Sequence, residues 1–134
     1  MSRLLNISEA SSIAIHSLVL ISNSNKTLNA KIISEKLGFS MNHTAKILQL
    51  LARHNYLDSS RGPKGGFKLK VKPKDISLLE IYELVEGQLT SDICIHGVEE
   101  CPFNECVYGE FGAKLTREFK EYFKERKISH ISIN

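Results

Sequence analysis

Apolar positions in the first half of the chain recur at intervals of three and four, and then the spacing changes. From Ser8-Glu9 onward, Ile13, Ala14, Ser17, Leu18 and Ile21 fall on one face of a helix, and Asn23-Ser24-Asn25-Lys26 closes it with loop-forming residues. Asn29 predicts the cap of a short helix over 30–37, which Gly38 ends in a position suited to a left-handed backbone. After the turn Gly38-Phe39-Ser40 a third helix begins. Its Ile47, Leu48 and Leu51 point one way and Asn42, His43, Lys46, Gln49 and Arg53 another. Two short helices joined by a tight glycine-containing turn make a helix-turn-helix.

The period then becomes two. Phe67, Leu69 and Val71 alternate with Lys68, Lys70 and Lys72, so one side of this strand is apolar and the other basic. Its partner arm is 56–60, and Arg61-Gly62-Pro63-Lys64-Gly65-Gly66 turns the chain between them. A basic hairpin directly after a helix-turn-helix reads as a wing. Helical spacing returns at Leu78, Ile81, Tyr82 and Val85, with Ser77 as cap and Gly87 as stop. Irregular sequence from about Gln88 to Gly109 precedes a long amphipathic helix over 110–127, whose apolar edge is Phe111, Leu115, Phe119 and Tyr122/Phe123. The expected fold is therefore mainly α with a small β-hairpin wing: a winged helix-turn-helix region (1–74), a connecting helix and loop (75–109), and a C-terminal helix with its tail (110–134), all one structural domain. The large aromatic edge on that last helix suits a dimer interface as well as a core. The tail over 128–134 is too short to assign.

Charge sharpens this division. The overall +3 conceals +9 over residues 1–74, where twelve Lys/Arg face three acids, and −9 over 75–110, where nine acids meet no base. Six bases and no acid lie between Arg61 and Lys74. A basic half of this kind suits a polyanion, because lysine and arginine on phosphate release counterions. Double-stranded DNA is the expected partner. Ser40, Asn42, His43 and Lys46 near the start of the third helix would face the major groove. Arg61 and Lys64 would sit at the minor groove or phosphates. The most hydrophobic window, Ile13 to Ile21, is broken by His16 and Ser17 and is too short for a membrane span, and no signal-peptide pattern opens the chain. A cytoplasmic location without membrane attachment is the expectation. Neither a nucleophile–base pair nor a phosphate loop is present to suggest an enzyme.

The three cysteines, Cys94, Cys101 and Cys106, all fall within thirteen residues. Three reduced thiolates so close can hold a soft metal or an iron–sulfur cluster, or can form one disulfide and leave a thiol over. With His96 they could also make a Cys3His zinc set, although six residues between Cys94 and Cys101 exceed the usual interval.

Taken in order, Leu57-Asp58-Ser59-Ser60-Arg61-Gly62-Pro63-Lys64-Gly65-Gly66-Phe67-Lys68-Leu69, then Ile76-Ser77-Leu78-Leu79-Glu80-Ile81 through Val85-Glu86-Gly87, then the cysteines, the chain resembles the Rrf-two family of bacterial winged-helix transcription regulators. The likeness runs from about Leu4 to Lys127. It implies a homodimer, joined through the long C-terminal helix, on a DNA operator. Affinity would be switched by an iron–sulfur cluster (2Fe–2S or 4Fe–4S) that senses redox state, nitric oxide or iron and cluster availability. The resemblance gives Cys94, Cys101 and Cys106 as cluster ligands. It puts a fourth ligand on the first helix of the partner, where His16 matches and Glu9 is a weaker choice, and it makes Arg61 the foremost wing contact. Two departures stand out. The cysteine intervals are six and four residues rather than even, and Val107-Tyr108-Gly109 stands where some members carry a further histidine. A thiol-redox switch or a zinc site on the same DNA-binding frame is the alternative reading.

Overall fold

The structure, a computed structural model, describes residues 7–89 and 98–133. Helix α1 runs Glu9–Ser22, α2 Ala30–Leu37 and α3 Met41–Arg53; strands β1 (Leu57–Ser60) and β2 (Gly66–Leu69) follow, then α4 (Leu78–Glu86) and α5 (Phe111–Glu125). Each early helix starts at a side-chain cap. Ser8 Oγ accepts from Ser11 N–H (3.1 Å), Asn29 Oδ1 from Ile32 N–H (2.9 Å) and Ser40 Oγ from His43 N–H (3.2 Å). Each cap satisfies a backbone donor that the helix itself cannot, at about 1 kcal/mol apiece. Gly38 ends α2 at φ +77°, the left-handed position at which a side chain would be strained. Ser77 and Glu80 form a reciprocal capping box on α4, with Ser77 N–H donating to Glu80 Oε1 at 2.7 Å.

The core lies where α1, α2, α3, the wing root and α4 meet. Ile13, Leu18, Ile33, Leu48, Leu51, Ile76 and Ile81 are all fully buried there. The tail joins them: a single 3-10 turn, Ile128–His130, buries Ile128 completely. It is held by a short bridge, Ile128 N–H to Ile76 O (2.9 Å) and Leu78 N–H to Arg126 O (3.0 Å). Nothing in the periodicity of so short a segment announces this.

The hairpin is antiparallel, in the register Leu57↔Leu69, Asp58↔Lys68, Ser59↔Phe67 and Ser60↔Gly66. Gly65 N–H donates to Gly62 O (2.9 Å) across Pro63-Lys64, a tight turn with proline at its favoured second position. The wing root is pinned to the approach to α2: Phe67 N–H donates to Leu28 O (2.8 Å) and Leu28 N–H to Phe67 O (3.3 Å). Gly66, at φ +150°, permits this closeness, since a Cβ there would lie 2.5 Å from Leu28 O.

A second, smaller cluster seats α5. Leu79, Tyr82 and Leu89 are buried against Phe119 and Phe123, with Tyr82 edge-on to Phe119 (centroids 5.0 Å) and Phe119 stacked on Phe123 (4.1 Å). The apolar edge predicted for α5 is thus divided. Phe119 and Phe123 face the chain's own core, while Phe111 and Tyr122 are exposed and Leu115 is half-buried.

Candidate nucleic-acid and thiol site

The expected DNA-facing side chains gather on two elements. Ser40, Asn42 and Lys46 are exposed on the first turns of α3, and Gln49 and Arg53 continue the same face. Arg61 and Lys64 are exposed in the wing turn. Ser40 Oγ accepts one bond at the helix cap, which leaves its hydroxyl hydrogen and a second lone pair for an outside partner. His43 is half-buried, and its Nδ1 lies 3.4 Å from Glu9 Oε2 at the start of α1. Glu9 therefore faces the third helix. That contact orients one edge of the imidazole inward and leaves Nε2 as its other hydrogen-bonding atom. Lys31, Lys36, Lys68 and Lys70 are also exposed, with Lys70 3.8 Å from Asp58. Met41, exposed beside Asn42, is an apolar group that charge and hydrogen-bonding arguments passed over.

The wing is braced from behind. Tyr56 donates to Glu80 Oε2 at 2.7 Å, so one carboxylate both completes the α4 cap and anchors the base of β1. Burial, with Glu80 adding a hydrogen bond and negative charge, pushes the Tyr56 phenol far above its ordinary range.

Of the cysteines, Cys101 and Cys106 are free thiols, both exposed, in a stretch that forms only turns; Cys94 and His96 lie outside the described residues. Among the described residues no three His, Cys, Asp or Glu side chains converge on one point. The root of the segment is firm. Leu89 is buried in the smaller cluster, its N–H donates to Glu83 Oε2 (2.9 Å) and its carbonyl accepts from Lys120 Nζ (3.0 Å). His16 is exposed on α1, with Nδ1 2.6 Å from Ser12 O. A carbonyl can only accept, so Nδ1 donates to it and Nε2 is the ring nitrogen left for a further partner. The donor set of exposed soft thiols plus an exposed imidazole fits iron–sulfur or zinc chemistry, with His16 and the thiols on different elements of the chain.

One polar cluster was not anticipated from the sequence. Glu86, at the end of α4, accepts from the hydroxyls of Ser8 and Ser11 (Ser11 Oγ at 2.6 Å) and from Ser8 N–H (3.3 Å). Burial alone would raise its pKa; the hydrogen bonds from Ser11 and Ser8 outweigh burial and hold it below the usual carboxylate range. The end of α4, which leads into the cysteine segment, is thereby tied to the start of α1.

A comparison with protein families matches residues 7–132 to Rrf2, described as an iron-dependent transcriptional regulator. The chain belongs to the Rrf2 family. It is a transcription regulator by that membership, not an enzyme. Among relatives, the putative HTH-type transcriptional regulator BadM of Rhodopseudomonas palustris is 39% identical over 69 residues, 52% of this chain and 44% of BadM. The HTH-type transcriptional regulator IscR of Aliivibrio salmonicida is 32% identical over 69 residues, 52% of this chain and 40% of that protein. The matched stretch thus spans less than half the length of either. Among solved structures, CymR, the global cysteine regulator of B. subtilis, superimposes with a TM-score of 0.76 at 20% identity, over 93% of this chain and 94% of CymR. That likeness shows the shared winged-helix fold.

Proposed function

We propose that this chain is a homodimeric, cytoplasmic DNA-binding regulator whose operator affinity depends on whether Cys94, Cys101 and Cys106 hold an iron–sulfur cluster. The observation that carries the DNA reading is the exposure of Asn42 and Lys46 at the start of α3 and of Arg61 and Lys64 in the wing turn. The iron reading is supported by the family's description as iron-dependent, and by two free, exposed thiols beside an acidic, irregular stretch. A bound cluster would supply redox- and nitric-oxide-sensitive chemistry. The three cysteines would be its ligands, with His16 of a partner subunit as the fourth. In the DNA complex, Asn42 and Lys46 would meet base edges, His43 would be positioned by Glu9, and Arg61 and Lys64 would meet the minor groove or backbone.

Among the described residues no helix is long and apolar enough to cross a membrane. Anaerobic purification followed by iron and sulfide counts tests the cofactor, and operator titration of loaded and stripped protein tests the switch. Equal affinity in the two forms would remove the sensing role while leaving DNA binding intact. The exposure of Cys101 and Cys106 favours one further reading, a thiol-redox switch. A colourless protein whose operator affinity responds to a thiol oxidant would select it, and a colourless protein carrying stoichiometric zinc would indicate a Cys3His site.

A further inference from the structure

The exposed side chains of α3 are Met41, Asn42, Lys46, Gln49 and Arg53. All but the first carry amide or cationic groups suited to base edges and phosphate. Met41, at 53% accessibility, is the apolar exception. The fold already has its apolar residue at this helix start. Phe39, on the other side of the Ser40 cap, packs against the core, and Thr44, Ile47, Leu48 and Leu51 form the buried face of the helix. Met41 belongs to neither group, so its thioether stands in water at a place where packing does not use it.

Position gives that side chain a direction. In a helix every Cα–Cβ bond tilts toward the N-terminus, and Met41 is the first residue of α3, so its side chain reaches past the helix end. In a helix-turn-helix that end enters the major groove. Ala45, four residues on and half-buried, is its neighbour on the helix surface, while His43 and Lys46 lie toward the other side. The groove end of α3 is thus divided. One edge is apolar, Met41 with Ala45, and the other bonds hydrogen, Asn42 with His43 and Lys46. On the major-groove edges of the base pairs the apolar group is the C5 methyl of thymine. An unbranched, polarisable methionine adapts readily to so small a target.

We infer that Met41 is a specificity-determining residue, covering the C5 methyl of a thymine in the operator and so distinguishing thymine from cytosine at that position. This rests on the DNA reading above and names a base that α3 recognises. The contact needs no charge and no hydrogen bond, which is why a basic face alone does not announce it.

The test first selects tight-binding duplexes from a random double-stranded DNA pool with the full chain under anaerobic conditions. In the enriched duplex each thymine is then replaced in turn by deoxyuridine, which deletes the methyl and keeps the base pair. All affinities are measured at one salt concentration, since phosphate contacts make binding salt-dependent. Deoxyuridine at the recognised position should weaken binding by the parent about four-fold, the weight of one buried methyl group. Met41→Ala should bind the thymine and deoxyuridine duplexes equally. Met41→Gln, which keeps side-chain length and helix propensity but ends in an amide, should do the same and guards against a packing effect of the shorter residue. A parent indifferent to every deoxyuridine overturns the inference and leaves DNA binding standing. So does a deoxyuridine effect that persists undiminished in both variants. Failure to enrich any sequence overturns the DNA reading as well.

Discussion

Replacing Gly66 with alanine tests how the wing is held. The added Cβ would lie 2.5 Å from Leu28 O and 2.9 Å from Asn29 N, both backbone atoms that no rotamer change can move aside. Leu28 O is also the acceptor for Phe67 N–H at 2.8 Å, so retreat of the Leu28 backbone by the better part of an ångström breaks both bonds of that bridge. Two such bonds contribute about 0.5–1.5 kcal/mol each. Holding alanine at φ +150° costs about 1–3 kcal/mol more. Partial unseating of Phe67, buried at 7% accessibility, takes away part of the ~1.5–3 kcal/mol of its burial. Together these give roughly 3–5 kcal/mol of lost stability, a large share of what a domain this size possesses. Gly62 supplies the control. Its φ is +100° but open space surrounds it, so Gly62→Ala carries only the backbone cost, about 1–2 kcal/mol. Urea melts of the two variants beside the parent should separate them by about 2 kcal/mol, with Gly66→Ala the weaker. Equal midpoints would mean that Leu28 and the wing root are not in the close register described.

Other changes report on separate parts of the molecule. Arg61→Ala should weaken specific operator binding by about 1–3 kcal/mol without lowering the melting temperature, measured by fluorescence anisotropy; unchanged affinity removes the wing arginine from the interface. Glu86→Gln should destabilise by about 1–2 kcal/mol at neutral pH through loss of a charged acceptor for Ser8 and Ser11. The folded pKa of Glu86 is depressed, so its contribution is complete above the unfolded carboxylate value of about 4.3 and disappears as pH falls through the lower folded value. The gap between parent and variant in thermal melts should therefore close on acidification; a gap that widens contradicts the network. Thr44→Val removes a fully buried hydroxyl with no hydrogen-bond partner among the described residues and should raise the melting point by a few degrees, about 1 kcal/mol. A lowered melting point would show that this hydroxyl is satisfied.

The fold was legible wherever local chemistry and tertiary need agreed. Ser8, Asn29, Ser40 and Ser77 announce helix starts because short polar side chains cap there, and the structure places all four as caps. Gly38, Gly62 and Gly66 are readable because positive φ leaves few alternatives to glycine. The Glu86 network was not, because its partners are 78 and 75 residues away and each of them has an ordinary local reason to exist. Ser8 already caps α1, and Ser11 reads as a small residue on a helix. Ile128 was missed likewise. One isoleucine in a short tail has no periodicity, and only the bridge to Ile76 and Leu78 draws it into the core.

The site divides along the same line. Charge segregation pointed to the α3–wing surface because counterion release needs only a basic face, with no exact geometry. The thiol segment is a harder case, since its chemistry depends on which donors meet, and sequence spacing orders donors without bringing them together. The apolar edge of α5 shows why. Phe111, Leu115, Phe119, Tyr122 and Phe123 read as one surface, yet Tyr82 and Leu79 of α4 claim Phe119 and Phe123. What remains outward is a narrower stripe of Phe111, Leu115 and Tyr122. Amphipathic periodicity reports how many positions seek burial, and it does not say in whose interior. If the outward stripe were simply surplus surface, Tyr122→Glu would leave the sedimentation behaviour unchanged. If it is buried against a second copy, a charge introduced there has no partner, and at micromolar concentration the dimer should dissociate while the monomer's own core, built on Phe119 and Phe123, stays intact. Retained mass in that variant would place the interface elsewhere and return the stripe to solvent.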